Sequence, residues 1–303
     1  MKWMLPVSVL LATGAAGQSK DGGIATAAPA APKPAMSIAE GLLAPESVFY
    51  DADSDTYLVS NVNGDPSAKD NNGFIAEVSP DGKMVNPKVA AGGNGGVTLN
   101  APKGLAVRDG ILYVADLDAV RMFDRKSGAP KGEVKVPGST FVNDLSFGPD
   151  GLLYVTDSGL TPKFEGSGTD GVYVIAPGKK PTLRTLVKAK TLNRPNGILA
   201  TKDSLFVVTF GAAELMTLDL KGKSKGPSTT LPKGSLDGVV MVGDELVVSS
   251  WEGSALYRGK PGGEFKELIS KLEGPADIGY DSKRNRVLVP LMKENRLEAW
   301  ELK

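Results

Sequence analysis

Six stretches of the sequence share one plan, a polar or small pair followed by an apolar run. They are "PESVFYD" from Pro45, "PKGLAVR" from Pro102, "VNDLSFG" from Val142, "PNGILAT" from Pro195, "LDGVVMV" from Leu236 and "PADIGYD" from Pro275. Their second positions carry Glu46, Lys103, Asn143, Asn196, Asp237 and Ala276. Four of these six are oxygen donors, two carboxylates and two amides. That set suits a hard divalent cation, whose charge the two carboxylates balance. The chain has no histidine and no cysteine. Their absence removes Ser-His-Asp triads, thiolate nucleophiles, disulfides and imidazole or thiolate metal sites. Calcium is therefore favoured for Glu46, Asn143, Asn196 and Asp237, with magnesium and manganese behind it. Zinc held by oxygens alone is less natural. Taken singly, Pro195-Asn196-Gly197 reads as a tight turn, with Gly197 supplying the bend. Four oxygen donors at one repeat position outweigh that reading for Asn196.

Such residues converge only if the six stretches converge. Long amphipathic helical patterns are missing, and short apolar runs alternate with turn-rich pieces. "TYLVSNV", "ILYVADL", "LLYVTDS", "LFVVTF", "LVVSSW" and "RVLVPL" each follow one of the six openings. These read as strands, and the repeat spacing of roughly 40 to 57 residues fits one four-stranded blade per unit. The fold class is all-β, a six-bladed β-propeller. Each opening begins an inner strand, and the run after it is the second strand. "AVRMFD", "GVYVIA", "ELMTLDL", "SALYRG" and "RLEAWEL" are third strands. The last unit ends on its third strand, so Met36 to Glu40 is expected to supply its outer strand and close the ring. A pair of β-sandwiches would not explain six related openings.

The set "PES", "VND", "PNG" and "LDG" resembles the senescence-marker-protein (regucalcin)/gluconolactonase family of six-bladed propellers, over nearly the whole chain after residue 36. The resemblance implies that Glu46, Asn196 and Asp237 hold a divalent cation. It implies that Asn143, in the family's Arg-x-Asn-Asp motif, touches substrate or metal. It implies hydrolysis of a lactone, with the cation polarising the carbonyl and Asp237 as general base. The sequence departs from the family at Phe141, where the motif has Arg. Lys103, in the ring, offers a positive charge for substrate in its stead, and reads equally as a solvated or hydrogen-bonded lysine. The other reading is a non-catalytic propeller that the metal stabilises and that binds a ligand or protein.

Asn61, Asn63, Asp116, Asp157, Phe210 and Trp251 follow or end second strands, which puts them near the same mouth, although each also reads as an ordinary turn or packing residue. Asp144 and Asp277, one position beyond the ring, read as caps on backbone groups. Three Gly- and Asn-rich insertions, "NGDPSAKDNNGF", "AGGNGGVTLN" and "GLTPKFEGSGTD", are candidates for a lid.

The chain has 303 residues, with Lys plus Arg and Asp plus Glu at 35 each. That balance leaves no basic footprint for nucleic acid. Lys2 and the apolar run from Trp3 to Ala16 look like a secretory signal, residues 1–17, too short to span a membrane. An Ala/Pro-rich tether, 18–35, leads to the propeller domain, 36–303. The expectation is an exported protein, periplasmic or secreted, acting as a monomer on a small molecule such as a lactone.

Overall fold

The computed structural model describes residues 33–303. The signal and most of the tether lie outside those residues. Residues 34–303 form one compact unit, six four-stranded antiparallel sheets. The first strand, β1, is Met36–Ile38. Blade 1 is β2 Pro45–Asp51, β3 Thr56–Asn61, β4 Phe74–Val78 and β5 Met84–Ala91. Blade 2 is β6 Pro102–Arg108, β7 Ile111–Asp116, β8 Ala119–Asp124 and β9 Pro130–Lys135. Blade 3 is β10 Val142–Phe147, β11 Leu153–Asp157, β12 Gly171–Ala176 and β13 Thr182–Lys188. Blade 4 is β14 Pro195–Ala200, β15 Leu205–Thr209, β16 Glu214–Leu218 and the short β17 Thr229–Thr230. Blade 5 is β18 Leu236–Val242, β19 Glu245–Ser250, β20 Ala255–Gly259 and β21 Phe265–Ser270. Blade 6 is β22 Gly279–Asp281, β23 Arg286–Leu291 and β24 Arg296–Glu301, with β1 as its fourth strand.

The second strands are apolar over their central run because both of their faces are covered, and polar residues fall toward their ends. All of Leu153–Asp157 and all of Leu205–Thr209 are buried. Neighbouring blades share the cores between them, as where Leu58 and Ile75 of blade 1 pack with Leu105, Leu112 and Val114 of blade 2. Burial of this kind is what selects continuous apolar runs over strict alternation. Among the described residues no helix is long and apolar enough to cross a membrane.

Five of the six inner strands start with an irregularity. The pairing of first and second strands slips between Pro45 and Ser47, Pro102 and Leu105, Val142 and Leu145, Pro195 and Ile198, and Leu236 and Val239. A bulge there re-aims side chains and frees a backbone N–H. In blades 1, 3 and 5 a hydroxyl on the second strand accepts that N–H. Ser60 Oγ accepts from Ser47 N at 2.9 Å, Thr156 Oγ1 from Asp144 N at 3.1 Å and Ser249 Oγ from Gly238 N at 2.8 Å. Thr156 and Ser249 then donate to the next blade, at Asn196 O and Ala276 O. The polar pair that marks each repeat is thus the sequence trace of a bulge.

Met36, Ser37 and Ile38 pair antiparallel with Ala299, Glu298 and Leu297, and Ala35 N donates to Ala299 O at 2.7 Å. Met36, Ile38 and Leu42 are buried in the core shared by blades 6 and 1. A chain starting at residue 45 is expected to melt about 10 °C lower. It loses three buried side chains at about 1.5–3 kcal/mol each, and it bares the edge of β24. Calorimetry checks this, and an unchanged melting temperature would contradict it.

Candidate metal centre and cavity

The bulges bring the ring positions together at one end of the channel. Glu46, Lys103, Asn143, Asn196 and Asp237 are all buried, and all five line one cavity of about 180 Å³. Ala276, the sixth, is buried but does not line it. The ring is therefore open toward blade 6, where Met292 forms the wall.

Each polar group at the floor has a defined orientation. Trp251 Nε1 donates to Asp237 Oδ2 at 2.5 Å. The side-chain amide of Asn196 lies beside Asp237 and favours its charged form. Asn143 Nδ2 donates to Ser158 Oγ at 2.9 Å, and Ser158 donates onward to Pro195 O at 2.7 Å. This leaves the Asn143 carbonyl oxygen as its group for the cavity. Two carboxylate oxygens, Glu46 Oε2 and Asp237 Oδ1, are buried without any hydrogen-bond partner. Such atoms are costly to leave unsatisfied.

Burial pushes the Glu46 carboxyl well above its ordinary range, and Asp237 adds to the effect while Lys103 opposes it. Asp237 is pushed up to about 8, by burial first and Asp277 second, against the hydrogen bonds from Trp251 and Asn196. Two crowded, desolvated carboxylates with free oxygens are what a cation would relieve. No cluster of three acidic, histidine or cysteine side chains with metal-like spacing occurs among the described residues. A cation here depends on the two amide oxygens as well. The donor set and the two orphaned oxygens fit a hard divalent ion.

Lys103 is 1% exposed. Its Nζ donates to Pro66 O at 3.0 Å and Ala101 O at 2.9 Å, and lies 4.3 Å from the centre of the Phe141 ring. Burial lowers its pKa, while Glu46 and Asp116 pull it back up. The residue in the place of the family's Arg thus serves as the aromatic face under a lysine from the neighbouring blade.

One step further along the channel, Asp144 Oδ2 accepts from Ile198 N at 2.7 Å and its Oδ1 from Leu145 N at 2.6 Å. It caps backbone, as its position suggested. Asp277 instead accepts the Ser47 hydroxyl at 2.5 Å. Burial raises both, Asp277 to about 7. Gly104, Gly197 and Gly238 occupy the equivalent places in blades 2, 4 and 5.

Gly197 corrects the turn reading. Pro195–Ala200 is an inner strand, and Gly197 is not among the residues with positive φ. It is needed because a Cβ there would lie 2.3 Å from Asp237 O. Gly197→Ala is expected to destabilise the protein by about 1–3 kcal/mol through overpacking. It should weaken cation binding at the same time, because the strand it pushes carries Asp237. Denaturant melts and a cation titration check both effects.

Of the six residues expected at the mouth, Phe210 and Trp251 line the cavity. Asn61, Asp116 and Asp157 turn inward instead. Their side-chain oxygens accept from Leu43 N, Ala101 N and Phe141 N and fix the approach to the inner strands of blades 1, 2 and 3. Asn63 donates to Asn72 O within its own loop. Two insertions reach the cavity, through Pro66 and through Leu160 and Phe164. The third, residues 91–100, packs behind Asn71, which accepts from Leu99 N, and contributes no lining residue. The residues missed from sequence are Pro66, Leu160, Phe164 and Met292. Met292 directly follows β23 just as Phe210 follows β15 and Trp251 follows β19, so the repeat alignment carried its signal.

A larger groove, about 760 Å³, lies between blades 1 and 2 at the other ends of the strands. Its walls carry both signs of charge, and Arg125 is bonded to Asp51 and Glu77. None of its lining residues carries an orphaned buried polar atom, in contrast to the smaller cavity.

The fold is shared with solved structures across most of the chain. A gluconolactonase from Xanthomonas campestris superposes with a TM-score of 0.63 at 17% identity, covering 86% of each chain. A regucalcin from Agrobacterium tumefaciens, described as calcium-binding, gives 0.60 at 18%, covering 84% of this chain and 85% of its own. Virginiamycin B lyase from Staphylococcus aureus gives 0.59 at 13%, covering 86% and 95%. These likenesses establish the six-bladed propeller. No family model matches the sequence, and no curated protein matches it.

Proposed function

We propose that the protein is a metal-dependent hydrolase of the gluconolactonase type that opens a lactone or related ester, with Glu46, Asn143, Asn196 and Asp237 around one divalent cation. The observation that carries the reading is the pair of buried, unpartnered oxygens, Glu46 Oε2 and Asp237 Oδ1, on the floor of a cavity. Calcium is the first choice, since every donor is oxygen. When bound, the cation supplies Lewis acidity toward the substrate carbonyl and the oxyanion that forms there. Asp237 is the general base. Trp251 holds its Oδ2, so Oδ1 is the oxygen free to take a proton from water. The water oxygen bonds to the carbonyl carbon, the ring C–O bond breaks, and the proton passes to the departing alkoxide to give a hydroxy acid. Lys103, fixed beside the carboxylates, lowers the cost of gathering negative charge there. Export belongs to the same proposal and rests on the signal-like run from Trp3 to Ala16.

A panel of lactones assayed with and without chelator tests the reading. Turnover is expected to vanish on chelation and to return with calcium. Cation-dependent melting without any turnover would identify a binding propeller instead.

A further inference from the structure

The cavity has a polar floor and an apolar collar, and the two differ in what they leave free. Three of the floor's donor groups are turned to the protein. Asn143 Nδ2 goes to Ser158, Trp251 Nε1 to Asp237, and Lys103 Nζ to two backbone carbonyls. The unpartnered atoms are carboxylate oxygens suited to a cation, Glu46 Oε2 and Asp237 Oδ1, which leaves few polar groups to read the several hydroxyls of a sugar. Above the floor the walls are Phe141, Leu160, Phe210, Trp251 and Met292, drawn from blades 3 to 6. Phe164 continues them to the rim, with its ring 6.0 Å from that of Phe141 at an edge-on angle of 64°. It is 43% exposed, one of few large apolar side chains left in water. At about 180 Å³ the cavity equals roughly six waters at ~30 Å³ each, room for one small ring. A substituent on that ring would lie along the collar toward Phe164.

From these features we infer that the cavity selects an apolar lactone, a small ring with a short alkyl or aryl substituent, over a polyhydroxylated sugar lactone. The inference rests on the proposed hydrolase. A sugar lactone would bury several hydroxyls against carbon with no partner, while an alkyl chain exchanges water for carbon.

The test compares δ-valerolactone, δ-hexalactone, δ-octalactone and D-glucono-δ-lactone with the calcium-loaded full chain, each kcat/KM divided by the rate of uncatalysed hydrolysis. The expected gain is about fourfold per added methylene until the collar is filled. D-glucono-δ-lactone should fall at least ~100-fold below δ-valerolactone. Phe210→Ser and Met292→Ser should flatten the chain-length gain. If either fails to fold, Phe164→Ser at the exposed rim should flatten it for δ-octalactone. A sugar lactone that matches or beats the alkyl lactones overturns the inference and leaves the hydrolase reading standing. If no lactone is turned over, that reading falls, and the inference is decided by calorimetric binding of inert rings. Tighter binding of 6-alkyl-2-piperidinones with longer chains supports it, whereas a preference for D-gluconolactam overturns it.

Discussion

Asp237→Asn is expected to lower lactone kcat/KM by about a hundredfold to ten-thousandfold, with the loss in kcat. The substitution keeps the volume and leaves an oxygen for Trp251 Nε1, so the cavity should hold its shape. What disappears is the oxygen that accepts a proton and one of two ligand charges. Glu46→Gln separates these two losses. It removes a charge and alters the other orphaned oxygen, but touches no proton in the proposed reaction. Its activity should return as calcium is raised, whereas that of Asp237→Asn should stay low at saturating calcium. Steady-state kinetics over a calcium series distinguishes the two. Equal recovery of both variants would remove Asp237 from the role of base.

The second large effect is the dependence of stability on pH and cation. Burial raises the folded-state pKa of Glu46, Asp144, Asp237 and Asp277 above the ordinary carboxylate value, with Asp277 at about 7 and Asp237 at about 8. A folded state that holds protons more tightly than the unfolded chain is favoured at low pH. The stability from these groups is full below about pH 4 and is lost as pH rises through the folded values. The groups with opposite shifts titrate elsewhere, since Asp124 is lowered to about 2 and Asp55 is lowered too. Their contribution is lost only as pH falls below about 4. The metal-free protein should therefore melt at progressively lower temperature from pH 5 to pH 8. Calcium needs the deprotonated carboxylates, so its stabilisation should grow over the same range. At a hundred times its Kd, calcium would add about 2.7 kcal/mol, or about 5–10 °C at pH 8. At pH 5 it should add little. A melting temperature that rises from pH 5 to pH 8 without metal would contradict this assignment.

The sequence revealed most where a feature repeats. Five openings with a polar second position mark five bulges, and the bulges place those five residues around one cavity. Single residues were harder to read. Asn61, Asp116 and Asp157 looked like mouth residues because they end second strands. They point inward because the backbone N–H groups before each inner strand need acceptors. Gly197 looked like a bend because Asn-Gly so often is one. Its actual constraint is the carbonyl of Asp237, some forty residues away, which no local pattern encodes. Leu160 and Phe164 sit in a segment legible as a lid but not singly as wall residues, and Met292 was passed over because an apolar residue in a sequence reads as core. Only the ring closure shows that they surround empty space.

Pairing β1 with β24 has a consequence for how the ring comes into being. Met36 and Ala299 meet across nearly the whole length of the domain. Blades 1 to 5 draw all four strands from consecutive chain and can pair locally as they are made. Blade 6 must wait for its partner from the far end. The loop that joins them is the longest the domain can form, so its closure carries the largest entropy cost, although that cost rises only slowly with length. High sequence separation also slows the step. The C-terminal strand of this domain is thus the one that captures its first, and a chain halted before residue 296 would keep β1 as a free edge, open to pairing with another molecule.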